Sequence, residues 1–322
     1  MAASVAQAGP GQQFARDVFD GLNRPGQKEL PSQYLYDDLG SALFDAITCL
    51  PEYGLTRADR RLLEANSAKL ARRLDGEIVV AELGSGSGGK TRCVLEAFAD
   101  RRPLEYIPID LSCAALARCG RELAELAAIR PIESSYLDGL EEAARNRNGR
   151  RLLVLFLGSN IGNFSPDEAG RFLLELRGLL DPGDALVLGA DLVKPQSRLL
   201  AAYDDPAGVT AAFNRNLLAR INRELGGDFD LRRFAHEARW DPRRRRVEMH
   251  LRSLGPQTVR VEAAGLTASL ADGETIWTES SYKFLPEELE AMAPRAGFHG
   301  AAQWIDREWG FAENLWLATE RA

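Results

Sequence analysis

Short apolar runs alternate with amphipathic segments along residues 56–194. Four of these runs have the length of strands: Glu77–Leu83, Leu104–Asp110, Leu152–Leu157 and Ala185–Ala190. A shorter apolar stretch around Ile132 predicts one more strand. Strands that are apolar throughout are typical of a parallel sheet covered by helices on both faces. The pattern therefore predicts a doubly wound α/β core.

Capping residues indicate where several helices of this core begin. Ser165-Pro-Asp-Glu168 combines an N-cap serine with proline at the first helical position and acids in the first turn. Ser112 is expected to cap the helix after the second strand, and Thr56-Arg-Ala-Asp59 resembles a capping box. Cys93 and Cys113 are predicted to be buried positions of two of these helices.

The pattern changes after Lys194. Asp205–Leu225 predicts a long helix, and Leu285–Ala296 predicts another that is followed by two strands. Four segments between these helices have strand character: Phe234–Trp240, Val247–Ser253, Thr258–Ala263 and Thr275–Ser281. The simplest layout has a core of residues 58–195 and 284–322 and a second, mixed α+β domain of residues 1–57 and 196–283.

Composition and charge narrow the class of protein. Of the 322 residues, 40 are Lys or Arg and 47 are Asp or Glu, which gives a net charge of −7. A mildly acidic chain is a poor candidate for binding nucleic acid or an anionic membrane. The basic run Arg243–Arg246 follows a turn signal and is expected to be a solvated hairpin tip; the alternative is a phosphate- or RNA-binding patch.

Neither a leader, a membrane span nor a metal site is indicated. Met1–Gly11 is small and polar, which predicts a loose tail and no signal peptide. The longest apolar run, Leu152–Leu157, is far too short to cross a bilayer. None of the four cysteines forms a Cys-x-x-Cys pair, and the three histidines are widely separated. We therefore expect a cytoplasmic protein without a bound metal.

A glycine cluster follows the first strand of the core and precedes a helix. Gly84, Gly86 and Gly89 fit the G-x-G-x-x-G pattern of dinucleotide-binding proteins. Glu82 with Gly84, Gly86 and Gly88 also fits the acid-x-G-x-G-x-G form found in S-adenosylmethionine (SAM)-dependent methyltransferases. Asp110, at the end of the next strand, can accept hydrogen bonds from both ribose hydroxyls of either cofactor. The loop by itself leaves a nicotinamide oxidoreductase, a methyltransferase and a purely structural turn open.

Two further strand ends favour methyl transfer. Asp138 and Gly139 follow the third strand, where an acidic side chain can meet an adenine amino group. The fourth strand ends in the polar, glycine-bearing segment Gly158-Ser-Asn-Ile-Gly-Asn163, which suits recognition of an amine. The three histidines lie outside the tips of the core strands, so no residue is evident for hydride transfer.

The residues match a known family in many separate places. Three of the matching motifs are Tyr34-Leu-Tyr-Asp-Asp-Leu-Gly-Ser-Ala-Leu-Phe44, Leu50-Pro-Glu-Tyr53-Gly-Leu-Thr-Arg57 and Leu157-Gly-Ser-Asn-Ile-Gly-Asn163-Phe. Further matches are the glycine loop with Lys90, Ile109-Asp110-Leu-Ser, Ala201-Ala-Tyr203-Asp-Asp, Phe213-Asn-Arg-Asn-Leu-Leu, Glu248-Met249-His-Leu and Thr278-Glu279-Ser-Ser281-Tyr-Lys-Phe. From about residue 14 onward, the chain resembles the histidine-specific, SAM-dependent Nα-methyltransferases of ergothioneine biosynthesis.

The resemblance implies a Rossmann-like class I methyltransferase core with a mixed α+β substrate-binding domain. It assigns the substrate amine to Tyr53 and Asn163, which would be the catalytic residues, and the carboxylate to Tyr203. Glu279 and Ser281 would face the imidazole, with Met249 beside the ring. Tyr36 and Phe213 are aromatic residues available for a methylated amine. The implied cofactor residues are Gly84, Gly86, Gly88, Lys90, Asp110, Asp138, Gly139 and Gly158. Without the family motifs, the sequence around Glu279 would predict a solvated residue at a strand edge, and that around Met249 would predict an ordinary residue of the hydrophobic core.

The function that the resemblance implies is methylation of L-histidine to its trimethyl betaine, hercynine, the first step of ergothioneine biosynthesis. SAM would be the cofactor and L-histidine the small-molecule partner of a monomer that binds neither nucleic acid nor membrane. One alternative is a sibling enzyme that methylates tryptophan or another aromatic amino acid. The other is a non-catalytic SAM-binding module, against which the retention of both cofactor and substrate motifs argues.

Overall fold

The computed structural model describes residues 10–86, 88–100 and 104–320. The described chain forms two compact units, each assembled from separate segments. Unit 1 contains the described residues of Met1–Glu52, Gln196–Pro242 and Arg246–Ser280. Unit 2 contains those of Tyr53–Pro195, Arg243–Arg245 and Ser281–Ala322. Among the described residues, no helix is long and apolar enough to cross a membrane.

Helices and strands alternate through most of the described chain. The helices are α1 (Pro10–Leu22), α2 (Asp38–Thr48), α3 (Leu55–Arg73), α4 (Arg92–Ala97), α5 (Cys113–Leu123), α6 (Tyr136–Arg145), α7 (Pro166–Gly178), α8 (Gln196–Tyr203), α9 (Val209–Leu225) and α10 (Pro286–Arg295). The strands are β1 (Lys28–Glu29), β2 (Ile78–Leu83), β3 (Glu105–Asp110), β4 (Ala128–Ile129), β5 (Ile132–Glu133), β6 (Arg151–Phe156), β7 (Ala185–Asp191), β8 (Phe234–Asp241), β9 (Arg246–Ser253), β10 (Gln257–Val261), β11 (Leu266–Leu270), β12 (Thr275–Tyr282), β13 (Phe298–Asp306) and β14 (Phe311–Ala318).

The eight-stranded sheet of unit 2 confirms the predicted α/β class. Its strand order is β13-β14-β7-β6-β2-β3-β4, with β5 paired to β3. Strands β2, β3, β6 and β7 pair in parallel, and β13 and β14 form an antiparallel edge. The chain runs from β2 outward to β3 and then crosses to β6 on the other side of β2. Ligands of such sheets bind where the strand order reverses, which here is the carboxyl end of β2.

Both faces of this sheet are buried, as its apolar strands predicted. Every residue of β2 is buried. Val79 and Leu83 pack into one apolar cluster with α6 and α7, whereas Ile78 and Val80 pack into another with α3 and α4. Successive side chains of a strand point to opposite faces, so one short strand contributes to two cores. The carboxyl edge of the sheet is thereby fixed in position.

Unit 1 is built around a smaller sheet of the order β1-β12-β9-β8 and a separate β10-β11 hairpin. Strands β8 and β9 pair in the predicted antiparallel manner. Their connection contains the exposed Arg243 and Arg244, as predicted for a solvated hairpin tip. Arg246, predicted to belong to the same tip, is instead buried at the start of β9, where it forms an ion pair with Glu248. Helix α9 packs on α2, β8 and β9. The helix α1 and the strand β11 were not predicted from the sequence.

Several helix boundaries differ from the prediction. Helix α3 begins at Leu55 after Gly54, so Thr56 lies inside the helix and does not cap it. Its supposed box partner Asp59 is buried and forms an ion pair with Lys90. Helix α9 begins at Val209, because Asp205 accepts hydrogen bonds from the first backbone amides of the helix.

Three expectations about exposure and order were also inaccurate. Cys93 is half-buried and Cys113 is exposed, since Cys113 is the first residue of α5 and its thiol contacts Glu133. Pro10 and Gly11, predicted to lie in a loose tail, belong to α1. The rest of that predicted tail, Met1–Gly9, lies outside the described residues.

Candidate functional site

The glycine loop after β2 needs its glycines for two separate reasons. Gly84, Gly86 and Gly88 have φ values of 72°, 51° and 72°, the left-handed region that side chains disfavour. A Cβ on Gly84 would lie 2.8 Å from Asn160 Nδ2, and one on Gly88 would lie 2.6 Å from Cys119 Sγ. A Cβ on Gly86 would meet nothing within 4 Å. The loop therefore packs tightly on one side and is open at Gly86.

Glu82 supports this loop from below. It is buried at the end of β2 and accepts hydrogen bonds from Thr91 Oγ1 at 2.6 Å and from the Tyr106 hydroxyl. Burial raises the pKa of Glu82 to about 7, although both hydrogen bonds oppose that rise. Because its carboxyl joins β2, β3 and the start of α4, we assign Glu82 a structural role within the loop.

Asp110 lies at the end of β3, beside the loop. Its Oδ2 accepts from the Gly86 amide at 3.0 Å, and its Oδ1 accepts from the Ser112 amide at 3.0 Å. Each carboxylate oxygen can accept a second hydrogen bond. The hydroxyl of Ser85, in the same loop, is buried without a hydrogen-bond partner among the described residues. The loop thus offers both an oriented carboxylate and an unsatisfied hydroxyl.

Asp138 and Gly139 lie in the first turn of α6. Asp138 is exposed, and the hydroxyl of the N-cap residue Ser135 donates to it at 2.7 Å. Gly139 is buried, and a Cβ at this position would lie 2.5 Å from Ile109 Cγ2. Only the backbone of residue 139 can therefore take part in binding beside Ile109.

The end of β6 brings together Lys90, Gly158 and a residue that sequence reasoning missed as a site residue. Lys90 Nζ donates to Asp59 Oδ2 at 2.5 Å, and the Gly158 amide donates to the same oxygen at 3.0 Å. Gly158 has a φ of 70°, and a Cβ there would lie 3.0 Å from Lys90 Nζ. The sequence signal for Asp59 was present but was interpreted as a helix cap.

The catalytic candidates Tyr53 and Asn163 both belong to unit 2. Tyr53 is buried just before α3. Asn163 is half-buried in a 3₁₀ turn after β6. A Cβ on Gly162 would lie 2.8 Å from the Tyr282 carbonyl, so this turn packs on the end of β12. The neighbouring Ser281 accepts a hydrogen bond from Lys283 Nζ at 2.8 Å.

Unit 1 holds the remaining candidates, and two of them lie in an aromatic cluster. The ring of Tyr36 lies 5.4 Å from that of Phe213 and 5.6 Å from that of Phe44. Such separations fit edge-to-face aromatic contact. Phe213 is fully buried, whereas Tyr36 is only half-buried.

Tyr203, Met249 and the strand that carries Glu279 are joined by one hydrogen-bond network. His236 Nε2 contacts the Tyr203 carbonyl at 2.7 Å, and His236 Nδ1 contacts Asn214 Nδ2 at 2.9 Å. The Thr278 hydroxyl lies 2.7 Å from Asn214 Oδ1 and 3.0 Å from the Met249 carbonyl. Burial lowers the pKa of His236, which favours its neutral form. Sequence reasoning missed His236, Asn214 and Thr278, since no local motif connects them.

Among the described residues, no group of three or more His, Cys, Asp or Glu side chains is arranged to hold a metal ion. What the fold does provide is a glycine loop at the reversal point of a parallel sheet and an acid at the end of the next strand. These features define an α/β protein of the class that binds nucleotide-containing cofactors.

Comparisons with known proteins narrow this class. A profile of the family described as "Histidine-specific methyltransferase, SAM-dependent" matches residues 14–318. The chain therefore belongs to that family, as its motifs indicated. It is 45% identical over 305 residues to the histidine N-alpha-methyltransferase of Mycobacterium tuberculosis (strain CDC 1551 / Oshkosh), with 93% of each chain covered.

Two other relatives have related names. The histidine N-alpha-methyltransferase of Mycolicibacterium smegmatis (strain ATCC 700084 / mc(2)155) is 44% identical over 302 residues, again with 93% of each chain covered. Ergothioneine biosynthesis protein 1 of Neurospora crassa is 30% identical over 303 residues, which are 87% of this chain and 32% of that protein. The similarity to the two bacterial relatives extends over nearly the whole of each chain.

Proposed function

We propose that this protein methylates the α-amino group of L-histidine with SAM, up to the trimethyl betaine hercynine, as the first step of ergothioneine biosynthesis. The observation that carries the proposal is the similarity to bacterial histidine N-alpha-methyltransferases across 93% of both chains. The glycine loop and the end of β6 support it, because they offer groups that match such a cofactor.

The residues of unit 2 fit SAM chemically. Asp110 would accept from the ribose hydroxyls, and the backbone of Gly84, Gly86 and Gly88 would allow close approach. Ser85, whose buried hydroxyl has no partner among the described residues, would gain one. Lys90 and Gly158 would lie near the methionyl part, and Asp138 and Gly139 near the adenine. When bound, SAM supplies an electrophilic methyl group on a positively charged sulfur.

Recognition of the amine is assigned to Tyr53 and Asn163. An α-amino group has a pKa of about 8 and is mostly protonated at neutral pH, whereas the reaction needs its lone pair. Partial desolvation beside the buried Tyr53 would favour the neutral amine, whose proton would pass to solvent. The amide oxygen of Asn163 would accept a hydrogen bond from the amine and so orient its lone pair. Since methyl transfer requires little covalent help, such positioning would supply most of the rate.

The rest of the substrate is assigned to groups of matching chemistry. Tyr203 would bind the carboxylate, and Glu279 and Ser281 would bind the imidazole, whose two nitrogens are one donor and one acceptor when neutral. Met249 would pack beside the ring. The aromatic rings of Tyr36 and Phe213 would stabilise the growing positive charge of the methylated amine by roughly 0.5–2 kcal/mol each.

One experiment tests the proposal as a whole. Purified protein is incubated with isotopically labelled SAM and each of the standard amino acids, and the products are identified by mass. We expect labelled mono-, di- and trimethylhistidine. Methylation of tryptophan in preference to histidine would replace the substrate assignment. SAM binding without any product would favour a non-catalytic binding module.

A further inference from the structure

Three titratable side chains of unit 2, two of them buried and the third half-buried, form a group next to the glycine loop. Asp59 of α3 and Glu313 of β14 are 0% and 1% exposed. Lys90 forms an ion pair with Asp59 at 2.5 Å. The Gly158 amide donates to the same Asp59 oxygen, so the group lies at the carboxyl end of β6. A SAM carboxylate is expected in this region if Lys90 and Gly158 contact the methionyl part.

The carboxyl of Glu313 belongs to this group by position. Glu313 pairs with Gly189 across the β14–β7 ladder. A Cβ on Gly189 would lie 2.8 Å from Glu313 Oε1 and 3.3 Å from the Gly158 amide nitrogen. Because both distances start from one point, the Glu313 carboxyl lies near Gly158, and its side-chain interaction with Asp59 puts the two carboxyls side by side. The absence of a side chain at Gly189 provides the space that this carboxyl occupies.

Acceptors outnumber donors in the group. Asp59 Oδ1 and both carboxyl oxygens of Glu313 are buried without a donor among the described residues. Two ionised carboxylates only accept hydrogen bonds and repel each other, whereas a protonated acid donates one. A second unpaired negative charge would also be costly to bury, since Lys90 supplies a single positive charge. One proton on the pair removes the second negative charge and gives Asp59 Oδ1 a donor.

We propose that Glu313 is a protonated acid that donates its hydrogen bond to Asp59, and that the pair, with a single negative charge, positions the Lys90 ammonium for the carboxylate of SAM. Asp59 and Glu313 are then positioning residues that act through Lys90. The part that concerns SAM rests on the proposed function, whereas the shared proton does not.

The electrostatics of the neighbouring groups agree with this arrangement. Burial, the charge of Asp59 and a hydrogen bond with it all raise the pKa of Glu313 well above its usual range. Burial lowers the pKa of Lys90, but the neighbouring carboxyls, Asp59 foremost, together outweigh burial, and the raised pKa keeps the ammonium charged. The other titratable groups nearby are Glu82 on β2 and Cys93 on α4, whose thiol donates to the Lys90 carbonyl at 3.1 Å.

A protonated Glu313 has a defined consequence for pH dependence. A carboxyl whose pKa is higher in the folded than in the unfolded state contributes most stability below its unfolded pKa of about 4.3. That contribution declines as the pH rises toward the folded pKa. When Glu313 ionises, its charge competes with the SAM carboxylate for Lys90, so affinity for SAM also declines with rising pH.

The test compares Glu313→Gln, Glu313→Ala and Asp59→Asn with the wild type by calorimetric titration with SAM. At about pH 7, Glu313→Ala should weaken SAM binding about tenfold or more, because it leaves Asp59 without its hydrogen-bond donor. Asp59→Asn should weaken SAM binding by a similar factor, because it removes the charge that orients Lys90. Glutamine also donates a hydrogen bond, so Glu313→Gln should recover most of the affinity that alanine loses. As the pH is raised, its affinity should then decline less than that of the wild type, since ionisation of the SAM amine affects both proteins equally and only the wild type also ionises Glu313.

Infrared spectroscopy tests the proton without the cofactor. The difference spectrum of wild type minus Glu313→Gln should contain the carbonyl stretch of a buried carboxylic acid, whereas Glu82, whose pKa is about 7, contributes to both spectra and cancels. Glu175→Gln, at an exposed position of α7, is the matched control and should keep the band. Binding by Glu313→Gln as weak as that by Glu313→Ala, or a difference spectrum without this band, would overturn the proposal. Failure of the wild type to bind SAM would refute the proposed function and the SAM part of the inference, while the infrared result still decides the shared proton.

Discussion

The glycine loop of unit 2 and the candidate substrate residues of unit 1 are held in place by different chemical groups. In the loop, backbone amides of Gly86 and Ser112 orient Asp110, and left-handed glycines set the chain direction. In unit 1, the side chains of Asn214, His236 and Thr278 connect distant segments. The first arrangement is local along the chain, whereas the second spans more than sixty residues.

This difference has consequences for substitution. An arrangement that backbone amides hold in place can be disrupted by substitution mainly at its glycines or at the one carboxylate that the amides orient. An arrangement built by side chains can be altered at many positions, and each alteration leaves a partner unsatisfied. We therefore expect changes in unit 1 to alter the choice of substrate and changes at the loop to alter cofactor affinity. Four measurements test this separation, from the largest expected effect to the smallest.

Glu279→Ala should have the largest effect. Glu279 is only 9% exposed, and its carboxylate is the proposed partner of an imidazole N–H. Its removal should reduce kcat/KM for histidine by roughly 2–4 kcal/mol, about 30- to 1000-fold, because a polar group of the substrate is left unpaired. The SAM affinity should not change. Glu262→Ala, at an exposed glutamate of the same unit, is the control.

Adding Met249→Val to Glu279→Ala sharpens the same test. The enlarged and less polar environment should begin to accept tryptophan, so kcat/KM is measured for histidine and tryptophan in the wild type, the single and the double variant. An unchanged ratio of the two substrates in Glu279→Ala would show that the imidazole is recognised elsewhere.

Asn163→Ala tests whether every residue that affects the choice or turnover of substrate lies in unit 1. Asn163 lies in unit 2 but is assigned to the substrate amine. A misplaced amine should lower turnover roughly 100-fold, about 2.7 kcal/mol, with little change in SAM affinity. Asn146→Ala, at an exposed asparagine, should keep the wild-type rate. An unaltered rate at saturating histidine would remove Asn163 from the mechanism.

Asp110→Ala tests whether a change at the glycine loop alters cofactor affinity. Loss of charged hydrogen bonds to the ribose should weaken SAM binding by roughly 1.5–3 kcal/mol. Turnover at saturating SAM and histidine should change less than the affinity. Asp100→Ala, at an exposed aspartate, serves as the control in the calorimetric titration. Tight binding of NAD without binding of SAM would contradict the cofactor assignment.

The smallest effect concerns the network around His236. Its pKa is lowered by burial, so the folded protein holds the ring neutral while the unfolded chain takes up a proton below about pH 6.5. The contribution of His236 to the free energy of unfolding is complete above about pH 6.5. Below that pH it declines by at most about 1.4 kcal/mol per pH unit.

His236→Gln removes this titration. When the pH is lowered from about 7.5 to about 5.5, the melting temperature of the variant should fall by less than that of the wild type. His299→Gln, at an exposed position of β13, should behave as the wild type does. An equal decline in His236→Gln and the wild type would mean that His236 does not titrate differently on folding.

The fold of unit 2 could be predicted almost completely because its information is local. Apolar runs of strand length, the capping box at Ser165 and the glycines after β2 each determine a local conformation, and all were found from the sequence. The assignment of site residues relied on family motifs and stays a prediction. Asp59 was misinterpreted because a helix-start signal and a buried charge use the same residue type.

The sequence by itself therefore determined most strands and helices, the α/β class and the family, but not α1 or β11. Only the tertiary structure decided that Glu313 lies with Asp59 and Lys90 although more than 220 residues separate them. It alone also decided that Ile109 restricts Gly139 and that His236 joins Tyr203 to Asn214. The physical reason is range: propensity, capping and turn preference act over a few residues, whereas burial and side-chain hydrogen bonds depend on which segments the fold brings together.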